Sequence, residues 1–121
     1  MNALIVDDSK AMRMILEKAL QEIGFKTSGV GHGQGALDML HAGEPVDLML
    51  VDWNMPVMNG YELVKAVRAN VLLNDVCIMM VTTETSISNV EMALAAGANE
   101  YLMKPFTREV LLEKLALLGI S

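Results

Sequence analysis

The sequence predicts an α/β fold in which helices cover both faces of a doubly wound, five-stranded parallel β-sheet. Short apolar runs alternate five times with amphipathic segments along the 121 residues. Strands that alternate with helices of this length form right-handed βαβ units around a parallel sheet. The central run, residues 46–52, is apolar on both faces, which is typical of a buried parallel strand.

The first strand and helix are marked at their ends. Residues 3–6 form a short buried strand that ends in two aspartates. Ser9 then offers an N-cap, because a serine side chain accepts a free N–H group of the first turn, and Gly24 closes the helix. Apolar residues at helical spacing predict the inward face, which carries Met12, Ile15, Leu16, Ala19, Leu20 and Ile23.

The next part of the chain adds two strands with a helix between them. Residues 25–30 form a weaker strand, and residues 33–42 form a short helix with Leu37 and Leu40 inward. The strand at 46–52 has the strongest pattern in the chain, and it ends in an aspartate.

The second half of the chain repeats the alternation. Residues 61–69 and 87–96 are predicted helices, and residues 76–81 and 100–103 are predicted strands. Thr107 then caps a last helix, in the same way that Ser9 caps the first. The apolar residues of that last helix are Val110, Leu111, Leu115 and Leu118.

Length and composition indicate one globular domain, residues 1–121. Hydrophobic residues make up 53% and charged residues 20%, which is the balance of a protein with a substantial core. No apolar stretch approaches the ~20 residues of a membrane span, and no basic segment precedes the first apolar run. We therefore expect neither membrane insertion nor a signal peptide.

Charge and cysteine content limit the classes of partner and the cellular location that we expect. The net charge is −6, and lysine and arginine form no cluster, which argues against binding to nucleic acid. Cys77 is the only cysteine, so no intramolecular disulfide can form and a cytoplasmic location is expected. The eleven methionines are interpreted as adaptable core residues.

Polar residues collect where the predicted strands end. Ligands of an open parallel sheet bind beyond the carboxyl ends of its strands. Carboxylates held together there repel one another unless a cation neutralises them, so the pattern predicts Mg²⁺, a hard ion that prefers oxygen ligands. The absence of histidine and cysteine at these ends argues against zinc. The residues concerned are Asp7, Asp8, Asp52, Thr82, Thr83 and Lys104.

Each of these residues alone has an ordinary structural explanation. An aspartate after a strand is commonly a helix cap, a threonine there belongs to a turn, and a lysine before a proline is a surface charge. All of these explanations would have to hold at once. We therefore favour a functional site.

Four sequence blocks resemble those of a known family. VDDS, LMLVDWNMPVMNG, MMVTTE and YLMKPFT look like the signature blocks of the receiver domain of two-component response regulators, in order along essentially the whole chain. The runs DWNMP and GANEYLMKPFT are similar in particular to those of CheY-like chemotaxis regulators. The resemblance implies the flavodoxin/CheY-like (βα)5 fold with strand order 2-1-3-4-5.

The resemblance implies that Asp52 is the phosphoacceptor. Asp8, Asp52 and the backbone carbonyl of Asn54 would hold Mg²⁺, and Asp7 would help through bound water. The family tunes the lifetime of its phosphoryl group at the positions of Asn54 and Glu84.

The remaining roles concern recognition of the phosphoryl group and the response to it. The resemblance implies that the Thr82 hydroxyl hydrogen-bonds the group and that Lys104 pairs with it. Tyr101 would be an aromatic rotamer switch. The peptide bond between Lys104 and Pro105 is cis in the family.

The implied activity is a phosphorylation switch rather than an enzyme acting on a separate substrate. The phosphoryl donor would be a sensor histidine kinase, and the output partner a protein such as the flagellar motor switch. A receiver without an effector is expected to be a monomer. In the family the responding surface comprises the fourth helix, the fifth strand and the fifth helix.

The fourth predicted helix has two apolar sides, of which only one can face the sheet. One side carries Ile87, Val90 and Leu94, and the other carries Met92, Ala93 and Ala96. We predict that the first side, beside Tyr101, docks a partner. The alternative, a helix that is more deeply buried, stays open.

Other functions are also compatible with parts of the pattern. Within the family, the alternatives are a phosphorelay intermediate that passes its phosphoryl group to a histidine phosphotransfer protein, and a receiver detached from a longer regulator. An FMN-binding flavodoxin would need a phosphate loop after the first strand, where VDDSKAM offers acids. A haloacid-dehalogenase-type phosphatase would need an aspartate where Asn54 stands.

Overall fold

Five parallel strands form one sheet in the order β2-β1-β3-β4-β5. The structure, a computed structural model, describes residues 1–83 and 87–120. The elements are β1 (Asn2–Val6), α1 (Lys10–Gln21), β2 (Lys26–Val30), α2 (Gly33–His41), β3 (Leu48–Asp52), α3 (Gly60–Arg68), a 3₁₀ turn (Val71–Leu73), β4 (Cys77–Thr82), α4 (Ile87–Ala96), β5 (Glu100–Met103) and α5 (Arg108–Leu117). The predicted α/β class, the parallel sheet and the strand order are confirmed.

The strands alternate their side chains between two apolar layers. Leu4 and Val6 of β1 face one layer, whereas Ala3 and Ile5 face the other, and β3 and β4 alternate in the same way. Helices α2, α3 and α4 cover the first layer with Ala36, Leu37, Leu40, Leu63, Val64, Val67 and Ala93. Helices α1 and α5 cover the second with Leu16, Leu20, Leu111 and Leu115. The sheet is therefore doubly wound, as predicted.

The strand register brings the polar strand ends to one edge. Val6 pairs with Val51, so Asp7 follows β1 at the level where Asp52 ends β3. Asp52 pairs in turn with Val81, and Thr82 lies one residue further along β4. Thr82 pairs with Met103, which places Lys104 just beyond β5.

Side-chain caps set the helix starts. The Ser9 Oγ accepts a hydrogen bond from the Met12 N–H at 3.2 Å, and the Thr107 Oγ1 accepts one from the Val110 N–H at 3.2 Å. Both predicted caps are confirmed. Helix α3 begins one residue before its predicted start at 61, because Asn59 and Glu62 form a reciprocal capping box around Gly60.

One prediction of burial in α1 is wrong. Ile15 of α1 is 55% exposed, although its spacing placed it on the inward face. Leu16 and Leu20 define the buried stripe of α1, and Ile15 falls on a more exposed flank of the helix. Val110 of α5 is 36% exposed, and Leu111 and Leu115 form the buried stripe of that helix.

Arg68, the last residue of α3, joins several segments at the amino-terminal edge of the sheet. Its Nη2 donates hydrogen bonds to the carbonyl of Val76 at 2.6 Å and to the side-chain oxygen of Asn99 at 2.9 Å. Its Nη1 donates to the carbonyl of Leu73 at 3.1 Å, and its Nε to that of Gly97 at 3.0 Å. Burial lowers the pKa of this guanidinium. The hydrogen bonds of Arg68 thereby link the α3–β4 connection to the end of α4.

Within the residues that the structure describes, none of the helices has the length and apolar character needed to span a bilayer.

Candidate functional site

Three carboxylates meet at the carboxyl edge of the sheet. Asp7 and Asp8 follow β1, and Asp52 is the last residue of β3. Each offers one carboxylate oxygen to a group whose atoms all lie within 4.8 Å of one another. Asp7 and Asp52 are buried, at 1% and 6% exposure, whereas Asp8 is exposed. The structure thus brings these three predicted residues together, with one carboxylate open to solvent.

Lys104 reaches this cluster from the end of β5. Its Nζ lies 3.2 Å from Oδ2 of Asp7 and 3.4 Å from Oδ1 of Asp52. The lysine is held at its backbone, because its N–H donates to the Thr82 carbonyl at 2.8 Å. The Lys104–Pro105 peptide bond is cis. The Lys104 ammonium therefore contacts two of the three carboxylates.

The turns around the aspartates are fixed by local hydrogen bonds. Oδ1 of Asp7 accepts from the Ser9 N–H at 2.9 Å, and the Asp7 carbonyl accepts from Nη1 of Arg13 at 2.7 Å. Oδ1 of Asp52 accepts from the Asn54 N–H at 3.4 Å. Each buried carboxylate therefore has one oxygen engaged by a backbone N–H group, which restricts its rotation.

Gly60 is a residue that sequence reasoning missed. The chain after β3 folds back so closely that a Cβ at position 60 would collide with the Asp52 carbonyl oxygen and lie 2.9 Å from the Cα of Trp53. The Gly60 N–H donates to the Trp53 carbonyl at 2.9 Å and closes the turn. The close of the run MPVMNG, a glycine after Asn59, carried the signal for this position, since glycine allows close backbone approach.

The environment raises the pKa of the Asp52 carboxyl above its ordinary value of 3.8. Burial is the largest cause, because it disfavours the charged form, and the negative charge of Asp7 adds to it. Lys104 and the Asn54 N–H lower the pKa, but by less. Three carboxylates face the Lys104 ammonium, so the ionised cluster carries more negative than positive charge.

A divalent cation would offset this excess of negative charge, provided that the residues offer suitable ligand atoms. The donors are carboxylate oxygens, which hard cations such as Mg²⁺ prefer, and neither histidine nor cysteine belongs to this cluster of described residues. Two donors are buried and the third is exposed, which leaves an open side for retained water. The residues at this edge fit Mg²⁺.

Two threonines and an asparagine lie at the same carboxyl edge of the sheet. Thr82 is 2% exposed at the end of β4, one residue beyond the level of Asp52. Thr83 is exposed, and its Oγ1 accepts a hydrogen bond from Nδ2 of Asn54 at 3.5 Å. Glu84, the other position implied to tune the phosphoryl lifetime, lies outside the described residues.

Tyr101 of β5 lies beside this edge, half-buried against the apolar layer under α2, α3 and α4. Nζ of Lys114, from α5, lies 4.2 Å from the centroid of the Tyr101 ring. The same Nζ is 3.3 Å from Oε1 of Glu100. The Tyr101 ring therefore packs against the core and is contacted by the Lys114 ammonium, which also pairs with Glu100.

Helix α4 turns part of its apolar surface outward. Ala93 is buried and Ala96 packs on the core, whereas Leu94 is 41% exposed and Val90 is half-buried. The predicted inward position of Met92 is wrong, because this side chain is 42% exposed on the flank opposite Leu94. The side chain of Ile87 lies outside the described part of the structure. The docking surface stays a prediction.

Comparisons with known proteins agree with this geometry. Residues 3–116 match the model of the response regulator receiver domain. A chemotaxis protein CheY homolog of Campylobacter jejuni is 48% identical over 116 residues, which cover 95% of this chain and 89% of that protein. Chemotaxis protein CheY1 of Helicobacter pylori is 44% identical, with 95% and 94% covered. The solved structure of chemotaxis protein CheY4 of Vibrio cholerae superimposes with a TM-score of 0.87 at 38% identity and covers 96% of both chains. The chain belongs to the response-regulator receiver domain family.

Proposed function

We propose that this protein is a chemotaxis response regulator that accepts a phosphoryl group from a histidine kinase onto Asp52. The observation that carries the proposal is the position of Asp52, which is buried at a strand end beside Asp7 and Asp8 and lies 3.4 Å from Nζ of Lys104. The relatives support the chemotaxis role, since the similar proteins of Campylobacter jejuni and Helicobacter pylori are named chemotaxis proteins. They do not favour the phosphorelay alternative.

The acidic cluster is proposed to bind Mg²⁺ through Asp8, Asp52 and the backbone carbonyl of Asn54, with Asp7 acting through bound water. When bound, the ion would reduce the repulsion between these carboxylates and an anionic phosphoryl donor. The raised pKa of Asp52 supports this assignment, because its causes are burial first and the charge of Asp7 second, and a bound cation would offset both.

The residues of the chain supply the rest of the transfer. A carboxylate oxygen of Asp52 forms a bond to phosphorus while the bond from phosphorus to the histidine nitrogen of the kinase breaks. Nζ of Lys104 already contacts Oδ1 of Asp52, so it can pair with the phosphoryl oxygens as they arrive. Hydrolysis of the resulting acyl phosphate by water resets the protein. The activity is thus self-phosphorylation and self-dephosphorylation, not turnover of a separate substrate.

The response is proposed to pass through Thr82 and Tyr101. Phosphorylation adds close to two negative charges beside Asp52, and the Thr82 hydroxyl would hydrogen-bond the new oxygens. Movement of Thr82 would make room for Tyr101, which lies between the core and Lys114. A local change of charge would then become a change of the α4–β5–α5 surface.

The output surface is proposed to be Ile87, Val90 and Leu94 of α4 beside Tyr101, with the flagellar motor switch as its partner. The exposed Leu94 and the half-buried Val90 support this assignment. We further propose that residues 1–121 act as a single receiver domain, as a monomer in the cytoplasm.

Intact-mass spectrometry tests the phosphoacceptor. The protein is incubated with Mg²⁺ and acetyl phosphate, beside the variants Asp52→Asn and Asp38→Asn. Asp38 is an exposed aspartate of α2 and serves as the matched control. We expect a gain of one phosphoryl group in the parent and in Asp38→Asn, none in Asp52→Asn, and none without Mg²⁺. A phosphorylated Asp52→Asn protein would refute the assignment.

A further inference from the structure

A cavity lies at the amino-terminal edge of the sheet, at the opposite end of β3 from Asp52. Its volume is about 460 Å³, and it runs between the α2–β3 connection and the α3–β4 connection. The five residues of β3 span four Cα-to-Cα steps of about 3.3 Å, so the two ends of the strand lie about 13 Å apart. None of the residues proposed to act in phosphorylation lines this cavity.

The cavity has an apolar floor and an exposed apolar rim. Leu40 and Val76 are buried at its base, and Val46 and Leu73 are half-buried beside them. Leu72 stands on the rim and is 87% exposed. A leucine this exposed beside an apolar cavity leaves surface that a partner side chain could cover.

The remaining lining includes three acidic side chains, together with His41, Gly43 and Asn70. Glu44, Asp47 and Asp75 border the cavity, and no lysine or arginine is among the described residues that line it. Oδ2 of Asp47 accepts the Asn2 N–H at 2.7 Å, whereas neither Glu44 nor Asp75 forms an ion pair within the described part of the chain. An apolar cavity bordered by unpaired carboxylates is complementary to an apolar segment that carries basic residues.

One wall of the cavity is preformed. The guanidinium of Arg68 donates to the carbonyls of Leu73, Asn74 and Val76, which lie on the α3–β4 connection. These hydrogen bonds hold the backbone that carries Leu72 and Asp75. A wall held in this way loses little conformational entropy on binding.

We infer that this cavity docks a partner protein through a short segment that presents leucine-like side chains flanked by lysine or arginine. The apolar side chains would cover Leu72 and enter above Leu40 and Val76, and the basic residues would face Glu44 and Asp75. The site lies at the end of the sheet opposite to Asp52, so binding there is compatible with phosphorylation.

The test uses a fluorescein-labelled peptide with two leucines flanked on each side by two lysines, and a second peptide in which glutamates replace the lysines. Fluorescence anisotropy gives the affinity, and amide NMR shifts of the full chain locate the peptide. We expect saturable binding of the lysine peptide below about 1 mM, with shifts confined to residues 40–47 and 70–76. We expect no binding of the glutamate peptide.

Variants separate the apolar contact from the charge. Leu72→Ser should weaken binding about tenfold, whereas Leu117→Ser, a change at a leucine that is 72% exposed on α5, should leave it unchanged. Asp75→Asn should weaken binding about twofold to threefold and reduce its salt dependence. Phosphorylation of Leu72→Ser by acetyl phosphate, measured by mass, should equal that of the parent and thereby confirm an intact fold.

Three outcomes would overturn the inference. The first is the absence of saturable binding, and the second is equal binding of the lysine and glutamate peptides. The third is a set of NMR shifts that lies elsewhere, for example on α4 and α5. Because the test does not depend on Asp52, its failure would leave the proposed phosphorylation standing.

Discussion

At the scale of single residues, Asp52 is subject to opposing influences. Burial and the charge of Asp7 disfavour its ionised form, whereas Lys104 and the Asn54 N–H favour it. Burial prevails, and the pKa is raised. The ionised carboxylate that the proposed reaction needs therefore costs folding stability in the absence of a cation.

This balance predicts the effect of Asp52→Asn on stability. A raised pKa in the folded state means that ionised Asp52 opposes folding at pH values above that pKa, and that this cost disappears as the pH falls toward 3.8. Without divalent ions, Asp52→Asn should therefore raise the melting temperature at neutral pH, and the gain should shrink as the solution is acidified. Asp38→Asn is the control. A variant less stable than the parent at pH 7 would contradict the argument.

Val57 is a second residue in an unfavourable state, because its backbone conformation is strained. Its φ is 68°, in the left-handed region that β-branched residues avoid, and its side chain is fully exposed, so packing does not compensate. Val57→Gly should stabilise the protein by about 0.5–1 kcal/mol in urea denaturation, because relief of strain exceeds the added entropy of the unfolded glycine. Val71→Gly, at an exposed valine of ordinary φ, should instead destabilise it. A loss of stability in Val57→Gly would show that the turn is not strained.

At the scale of elements, Arg68 fixes the part of the α3–β4 connection whose apolar side chains are exposed. Val71 and Leu72 of its 3₁₀ turn are exposed, at 74% and 87%, so they contribute little burial. The guanidinium holds the carbonyls of Leu73 and Val76, and it also reaches Gly97 at the end of α4. One side chain thus links the connection between α3 and β4 to the last turn of α4.

Removal of that guanidinium should be costly. Arg68→Met keeps much of the apolar stem but leaves the Val76 and Gly97 carbonyls without this donor, so we expect a loss of about 2–4 kcal/mol in the free energy of unfolding. Lys65→Met, at an exposed position of the same helix, should cost less than about 1 kcal/mol. Urea denaturation followed by circular dichroism measures both variants. Equal effects would show that the hydrogen bonds of Arg68 are not important for stability.

At the scale of the whole molecule, the proposed chemistry and the proposed output surface occupy different elements. Asp7, Asp52 and Lys104 lie at the strand ends, whereas Val90 and Leu94 lie on α4. Tyr101 of β5 packs on the core and contacts Lys114 of α5. The proposed signal can therefore be interrupted at the surface without damage to the site.

Val90→Glu tests this separation. The variant should still accept a phosphoryl group from acetyl phosphate, but should bind a flagellar-motor switch peptide at least about tenfold more weakly after phosphorylation. Met92→Glu is the matched control, because Met92 lies on the other flank of α4 and is 42% exposed. Unchanged peptide binding by Val90→Glu would move the output surface elsewhere. Loss of phosphorylation would show that the two functions are not separable.

Local sequence determined much of this protein by itself. The bounds predicted for α4 and β5 are those observed, and Ser9 and Thr107 cap their helices, because caps and periodicity act within a few residues. The polar residues of the site were also readable, since each follows a strand and parallel strands end at one edge. The strand order followed only from the family resemblance, because alternation alone does not state which strands are neighbours.

The tertiary structure decided the features that depend on distant neighbours. Periodicity placed Ile15 inward, but only the packing of the other elements shows that this side chain is 55% exposed. Arg68 carries no sequence signal, because its acceptors are mainly backbone carbonyls of residues up to 29 positions away, and any residue can supply a carbonyl. The closeness of Gly60 to the Asp52 carbonyl and the acidic cavity at the other end of the sheet arise in the same way, from chain segments that meet only in the folded molecule.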